Sequence, residues 1–249
     1  TSCTRPLTNF VITTDMPLYG KWEENTNCYT ITFDTRGGSP VEPITAQYLS
    51  VVKLPSNATR EHCEFKWWED DYGDTMSFNF TVPARNITLY AVWFCTHIST
   101  AKDFIDFSKI VNSETSLFGT TVFLDADIDF SGGRSEQFEL INSFQGTFDG
   151  QGYTISNLVM NSVSRYVGLF GCSKGATIRN VVLDSSCSVK SSYSIYVGGI
   201  IGYCNGCIIE SAVNLANLTF NGNTGNDNLC ISGIVGYLSA DGKEATVRN

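Results

Sequence analysis

Asp125, Asp127 and Asp129 are the first residues whose spacing could do chemistry. D-x-D-x-D begins a calcium loop of oxygen ligands, which must go on to a Gly at the sixth position and a carboxylate at the twelfth. Phe130 stands at the sixth position and Glu136 at the twelfth, so half of the signature is met. The same run also reads as a strand, with Leu124, Ala126, Ile128 and Phe130 inward and the acids in solvent. Cys204 and Cys207 form a CxxC in a chain with nine cysteines. Zinc would ask for a second such pair or a nearby His, and thioredoxin-type chemistry for a helix opening at the motif; a Gly-rich turn between strands offers neither. Cysteines scattered in this way fit structural disulfides made in an oxidising compartment. An odd count leaves one thiol free or paired outside the chain. The histidines, His62 and His97, match no Ser-His or Cys-His signature.

Modification chemistry is easier to see. Asn57, Asn79, Asn86 and Asn217 each begin an N-x-S/T sequon. Together with the cysteines they predict a secreted glycoprotein of the eukaryotic type. The chain has 249 residues, a net charge of -9 and a pI near 4.7. That balance is opposite to the basic footprint of a nucleic-acid binder, and an anionic membrane surface would repel it. There is no signal peptide and no apolar run of about 18 residues, so no membrane insertion is expected and the chain reads as a mature protein or an excerpt.

The elements that must position these residues are β-strands. Apolar content is 42%, charged content 16%, and the 22 glycines accompany many Ser, Thr and Asn, the profile of a turn-rich β protein. From Tyr166 the sequence repeats: YVGLFGC, YVGGIIGYC and CISGIVGYL carry the glycine pairs Gly168/Gly171, Gly199/Gly202 and Gly233/Gly236. A unit of that kind cannot bury its own apolar face and must stack on copies of itself. The segments TISN, TIRN, IIES and TVRN predict a ladder at one bend, made by Asn157, Asn180, Ser211 and Asn249, that satisfies buried turn groups. Ordinary surface turns would use the same residues. Upstream, Ser99 or Thr100 can cap a helix whose stripe is Phe104, Phe107, Ile110 and Val111; such a helix could close one end of the stack.

Residues 29–38, YTITFDTRGG, alternate as a half-buried strand before a Gly-Gly turn. That strand, VEPITAQY, F-K-W-W and FNFTVPARNITLYAVW follow one another in an order that resembles the internalin-type B repeat, also called the Listeria–Bacteroides repeat, over about residues 28–94. The resemblance implies a β-grasp-like module of secreted and surface proteins. Trp67 departs from it, because the family usually has Gly before the Trp that matches Trp68; the ring is either a packing variant or an exposed contact. TTDMPLYGKW, with Leu18, Tyr19 and Trp22, aligns with ARNITLYAVW and looks like the last strand of a preceding repeat. TTVFLDADIDFSG, FQGTFDGQGYTISNL, GLFG and GIVGY, in turn, are similar to GLUG-type β-helix repeats of large surface proteins.

The resulting expectation is a mainly β chain. Residues 1–24 hold a terminal B-repeat strand, 25–95 a β-grasp-like module, 96–117 a linker with a short capping helix, and 118–249 a right-handed parallel β-helix. Disulfides Cys3–Cys28 and Cys63–Cys95 would staple the margins of B-type modules, and Cys172–Cys204 would link adjacent coils; partners for Cys187, Cys207 and Cys230 stay open. The acids Asp184, Glu210, Asp227, Asp241 and Glu244 are not at equivalent coil positions, unlike the convergent carboxylates of polysaccharide-active β-helix enzymes. No catalytic, metal or cofactor residue is therefore expected. A non-enzymatic, extracellular structural subunit of a coat or fibre, self-associating end to end through the Leu18–Trp22 strand, is the leading expectation. An adhesin that binds glycan or protein ligands on its β-helix faces is the alternative. Mass spectrometry of secreted material should find glycans at Asn86 and Asn217 first, Asn57 next and Asn79 least; bare asparagine at all four sites removes the glycoprotein reading.

Overall fold

A computed structural model describes residues 25–113, 117–193, 195–222, 229–240 and 245–248, together with the backbone of residues 2–3 and 22–23. Leu18, Tyr19, Asp227, Asp241, Glu244 and Asn249 lie outside these. The backbone of Trp22–Glu23 pairs antiparallel with Ser2–Cys3. The chain is mainly β and divides into two compact units: Thr1–Arg60 with Phe65–Val92, and Glu61–Glu64 with Trp93–Asn249.

In the first unit the alternation of Cys28–Asp34 puts Ile31 and Phe33 inside and Thr32 and Asp34 outside. This strand pairs antiparallel with Ile44–Gln47 and, through Ile31 to Asp34, parallel with the residues that begin at Ile87. A mixed four-stranded sheet results, to which Cys63–Glu69 adds the other edge. Val51–Lys53 and Asn79–Thr81 make a separate antiparallel pair. Trp68 is 1% exposed, tilts against Phe33 and Phe65, and donates its indole N–H to the Pro55 carbonyl at 2.7 Å. Trp67 is half-buried. Arg36 takes a left-handed backbone, φ 47°, from which its guanidinium reaches Glu69 at 2.7 Å and lies over the Tyr90 ring.

The second unit is a solenoid of five parallel ladders, because each two- to five-residue strand finds its hydrogen-bond partners only in neighbouring coils. Thr147, Thr177, Ile208 and Thr246 occupy one register position, so successive coils take 30, 31 and 38 residues. Each inward position forms an apolar column. Val122, Phe148, Ile178 and Ile209 make one, all 0% exposed; Val167 and Val197 make another. The predicted helix is present as Ala101–Ser113, with Thr100 Oγ1 accepting from the Asp103 N–H at 3.2 Å. Phe104 and Phe107 on its buried face meet Phe130, Phe138, Phe144 and Phe148 at centroid distances of 5.7–5.9 Å, so an aromatic layer closes this end of the stack.

Several of the repeated glycines are required by close approach. A Cβ on Gly202 would stand 2.5 Å from the Val167 nitrogen and 2.7 Å from the Gly171 carbonyl oxygen, both backbone atoms that cannot rotate away. A Cβ on Gly233 would meet nothing within 4 Å. Gly202→Ala should therefore cost about 3 kcal/mol or more, as overpacking of a dense interior does, while Gly233→Ala stays near neutral. Thermal denaturation of the two variants checks this, and equal losses would show that the coils are not packed this closely.

Candidate functional site

The solenoid unit holds a cleft of about 780 Å³. It forms where the coil is interrupted by Gly132 and Gly133, both at positive φ, and by the 3-10 turn Arg134–Gln137. Ser135 ties that turn to the neighbouring strand: its Oγ accepts from the Val159 N–H at 2.6 Å and donates back to the Val159 carbonyl. At the helix end Asn112 Nδ2 donates to the Leu140 carbonyl at 3.0 Å, and its Oδ1 accepts from the Asn142 N–H at 2.8 Å. Phe138, Leu140 and Met160 line the cleft, with exposed Glu136 and Glu139. Amides, hydroxyls and carboxylates around an apolar floor suit a neutral, hydroxyl-rich ligand better than an anion.

The aspartate row faces solvent. Asp125, Asp127 and Asp129 are exposed, while Leu124, Ile128 and Phe130 are buried and Ala126 is half-buried. Asp127 accepts from the Thr154 N–H at 2.7 Å; Asp129 accepts from the Ser131 N–H and from Asn157 Nδ2. These bonds, that from Asn157 first, hold the Asp129 carboxyl below the ordinary aspartate range. Asp125 Oδ2 lies 2.8 Å from His97 Nδ1, and the imidazole packs at a tilt against the rings of His62 and Phe123. The His97–Asp125 pair was not legible in sequence, since parallel pairing of His97–Ile98 with Thr121–Leu124 is what brings residues 28 apart together. Among the described residues no group of three or more His, Cys, Asp or Glu could hold a metal.

The expected Asn ladder is corrected by the strand register. Asn180 and Ser211 follow strands of one ladder and share a left-handed bend, φ 55° and 50°. Asn157 follows Thr154–Ser156, which belongs to a different ladder, and its corner is shared with Asp129 and Ser186. The true counterpart of TIRN is TFDG, residues 147–150, one coil earlier. Its third position starts a column of alternating charge: Asp149, Arg179, Glu210 and Arg248 are in register. Asp149 Oδ2 accepts from Arg179 Nε at 2.8 Å, and Glu210 pairs with Arg248. Burial alone would raise the Asp149 pKa, but bonds from Asn180, the Gln151 N–H and Arg179 outweigh it and lower the pKa below its usual value.

Cys63 and Cys95 form a disulfide. Cys172 and Cys204 do not, because the register sets Cys172 opposite Tyr203 and Ser173 opposite Cys204; a one-residue offset in a strand puts the two sulfurs on opposite faces. Cys204 instead bridges Cys207 across the turn at Gly206, and both are fully buried. Cys28 is an exposed free thiol, and the side chain of Cys3, its expected partner, lies outside the described residues. Cys172 and Cys230 are half-buried and Cys187 buried, all as thiols. Asn57, Asn79, Asn86 and Asn217 are exposed. Asn86 uses its Oδ1 to accept from the Thr30 N–H at 2.9 Å.

Residues 29–92 match the Listeria-Bacteroides repeat domain, which confirms the resemblance for the first module. A "putative membrane protein" of Evansella cellulosilytica is 41% identical over 80 residues, covering 31% of this chain and 12% of that protein. A "putative Gly-rich membrane protein" of the same organism is 35% identical over 81 residues, covering 32% of this chain and 9% of the other. The chain thus spans about a tenth of the length of these relatives. No solved structure matches the chain. No described helix is long and apolar enough to cross a membrane.

The lowered pKa of Asp149 generates a pH prediction. A carboxyl whose folded pKa lies below its unfolded value, about 4, stabilises the fold above that value, and the contribution disappears as pH falls through the folded pKa. The stability difference between the parent and Asp149→Asn, measured by urea denaturation, should be full near neutral pH and close in acid. A difference that does not vary with pH would show that the charge contributes nothing at this bend.

Proposed function

We propose that the chain is a non-enzymatic structural segment of an extracellular surface protein, a glycosylated and disulfide-bonded repeat element that associates end to end. The GLUG-type likeness of the solenoid, the adhesin or fibre context and the glycans belong to this proposal. The observation that carries it is the coil-to-coil register of the solenoid, in which inward positions form continuous apolar columns. Val167 and Val197 are 0% exposed, whereas Ile231 in the same column is 48% exposed; Ile178 and Ile209 are 0%, whereas Val247 is 49%. Leu238, in register with buried Cys204, is 38% exposed. A stack built in this way accepts further β-coils with the same inward pattern, whether they belong to the same chain or to another copy. Net charge of -9 opposes indiscriminate lateral clumping. The domain matched by residues 29–92 and the names of the Evansella proteins support a surface location.

A second reading, a surface adhesin, draws on the amide- and hydroxyl-lined cleft of about 780 Å³. The two readings separate by experiment. If coil stacking is the function, the purified chain forms linear, concentration-dependent assemblies by sedimentation and electron microscopy. Ile231→Lys and Val247→Lys should each abolish them while circular dichroism stays unchanged. A parent that remains monomeric at high concentration, or lysine variants that assemble as well as the parent, would overturn the structural reading in favour of the adhesin.

A further inference from the structure

Four tyrosines of the solenoid stack on one another across three coils. Tyr166 and Tyr196 are in register on one ladder, and Tyr203 and Tyr237 on another. Their rings are close to parallel: Tyr166 and Tyr196 differ by 3° at 5.8 Å, Tyr203 and Tyr237 by 4° at 5.7 Å. The shortest approaches cross between the ladders and between coils, Tyr196 to Tyr237 at 4.5 Å and Tyr166 to Tyr203 at 4.9 Å. Within one coil Tyr196 and Tyr203 are 6.0 Å apart. The group is open to solvent: Tyr237 is 42% exposed and the other three are half-buried. Arg165 lies against the Tyr166 ring.

We propose that this stack is an oxidative cross-linking site, in which a one-electron oxidant such as a peroxidase with hydrogen peroxide joins successive coils through dityrosine. Each of two phenols loses its O–H hydrogen, an electron and a proton, to give a phenoxyl radical. The radicals couple through ring carbons ortho to oxygen, forming one C–C bond, and the two displaced ring hydrogens return to the oxygens. One hydrogen peroxide accepts the two electrons and two protons and becomes two waters. Stacked, parallel rings bring the ortho carbons of partners face to face, and holding reactants in such a pair raises their effective concentration far above that of collisions between molecules. Tyr29 and Tyr48, in the other unit, provide the internal contrast: they meet edge to face at 79° and 6.4 Å. The coupled pairs are Tyr196–Tyr237 and Tyr166–Tyr203, so each link fastens one coil to the next. This modification goes beyond the structural role and is read in the monomer, so its outcome does not depend on end-to-end assembly.

Dilute protein is treated with peroxidase and hydrogen peroxide, and the monomer fraction is examined by fluorescence and peptide mapping. The expected product is a monomer with dityrosine emission, lighter by two hydrogens per link, with Tyr196 joined to Tyr237 and Tyr166 to Tyr203. Tyr237→Phe keeps the ring stacked but lacks the phenol; it should remove the first link and leave the second, and Tyr166→Phe should do the reverse. Circular dichroism confirms that both variants are folded. Links found only between molecules at the exposed Tyr72 and Tyr193, or a yield unchanged in both variants, would overturn the proposal.

Discussion

Backbone pairing between coils is the constraint on which the solenoid unit depends. A strand of two to five residues cannot satisfy its own donors and acceptors, so each coil directs them to the coils before and after it. Everything else must then be in register. Inward positions become continuous columns, corners recur at fixed places, and outward residues stand opposite outward residues from coil to coil. The glycine at Gly202 follows from the same demand, since backbone segments of neighbouring strands pass too closely there for any Cβ.

Each end of the column is treated differently by side-chain size. Beside the helix the interior is filled with large rings: Phe104, Phe107, Phe130, Phe144 and Phe148 interlock edge to face, which fills the wide space under a helix. Further along, Ile178, Leu183, Val189, Val197 and Ile201 take over, and the coil becomes a stack of aliphatic layers. The cleft sits at the transition, where the 3-10 turn Arg134–Gln137 stands in the path that the later coils fill with a strand, Val159–Ser162 in the next coil. The cleft thus arises from an irregular early coil and not from the repeats that are most visible in the sequence.

Much of this was legible beforehand, for physical reasons that also explain the failures. The seven-residue alternation at Cys28–Asp34 and the helical stripe at Phe104, Phe107, Ile110 and Val111 are long enough to declare their period. The solenoid strands are too short for that, so only the spacing of motifs reveals them. TISN and TIRN look alike because left-handed corners recur at more than one place in one coil, as Gln151 and Asn157 show; similarity of type could not tell which corners stack. Cys172 and Cys204 failed for a sharper reason, since a shift of one residue exchanges inside for outside. The His97–Asp125 contact and the tyrosine stack depend on coil-to-coil register, which no local pattern encodes.

The column Asp149, Arg179, Glu210, Arg248 constrains how such a protein can change its length in evolution. Opposite charges face each other at every step, and like charges directly opposite destabilise a pair of strands. Excision of the single coil that carries Arg179 would set Asp149 against Glu210, and excision of the next would set Arg179 against Arg248. Loss of both restores an acid beneath a base. The interchangeable genetic unit along this face is therefore two coils, although the repeat visible in the glycines is one.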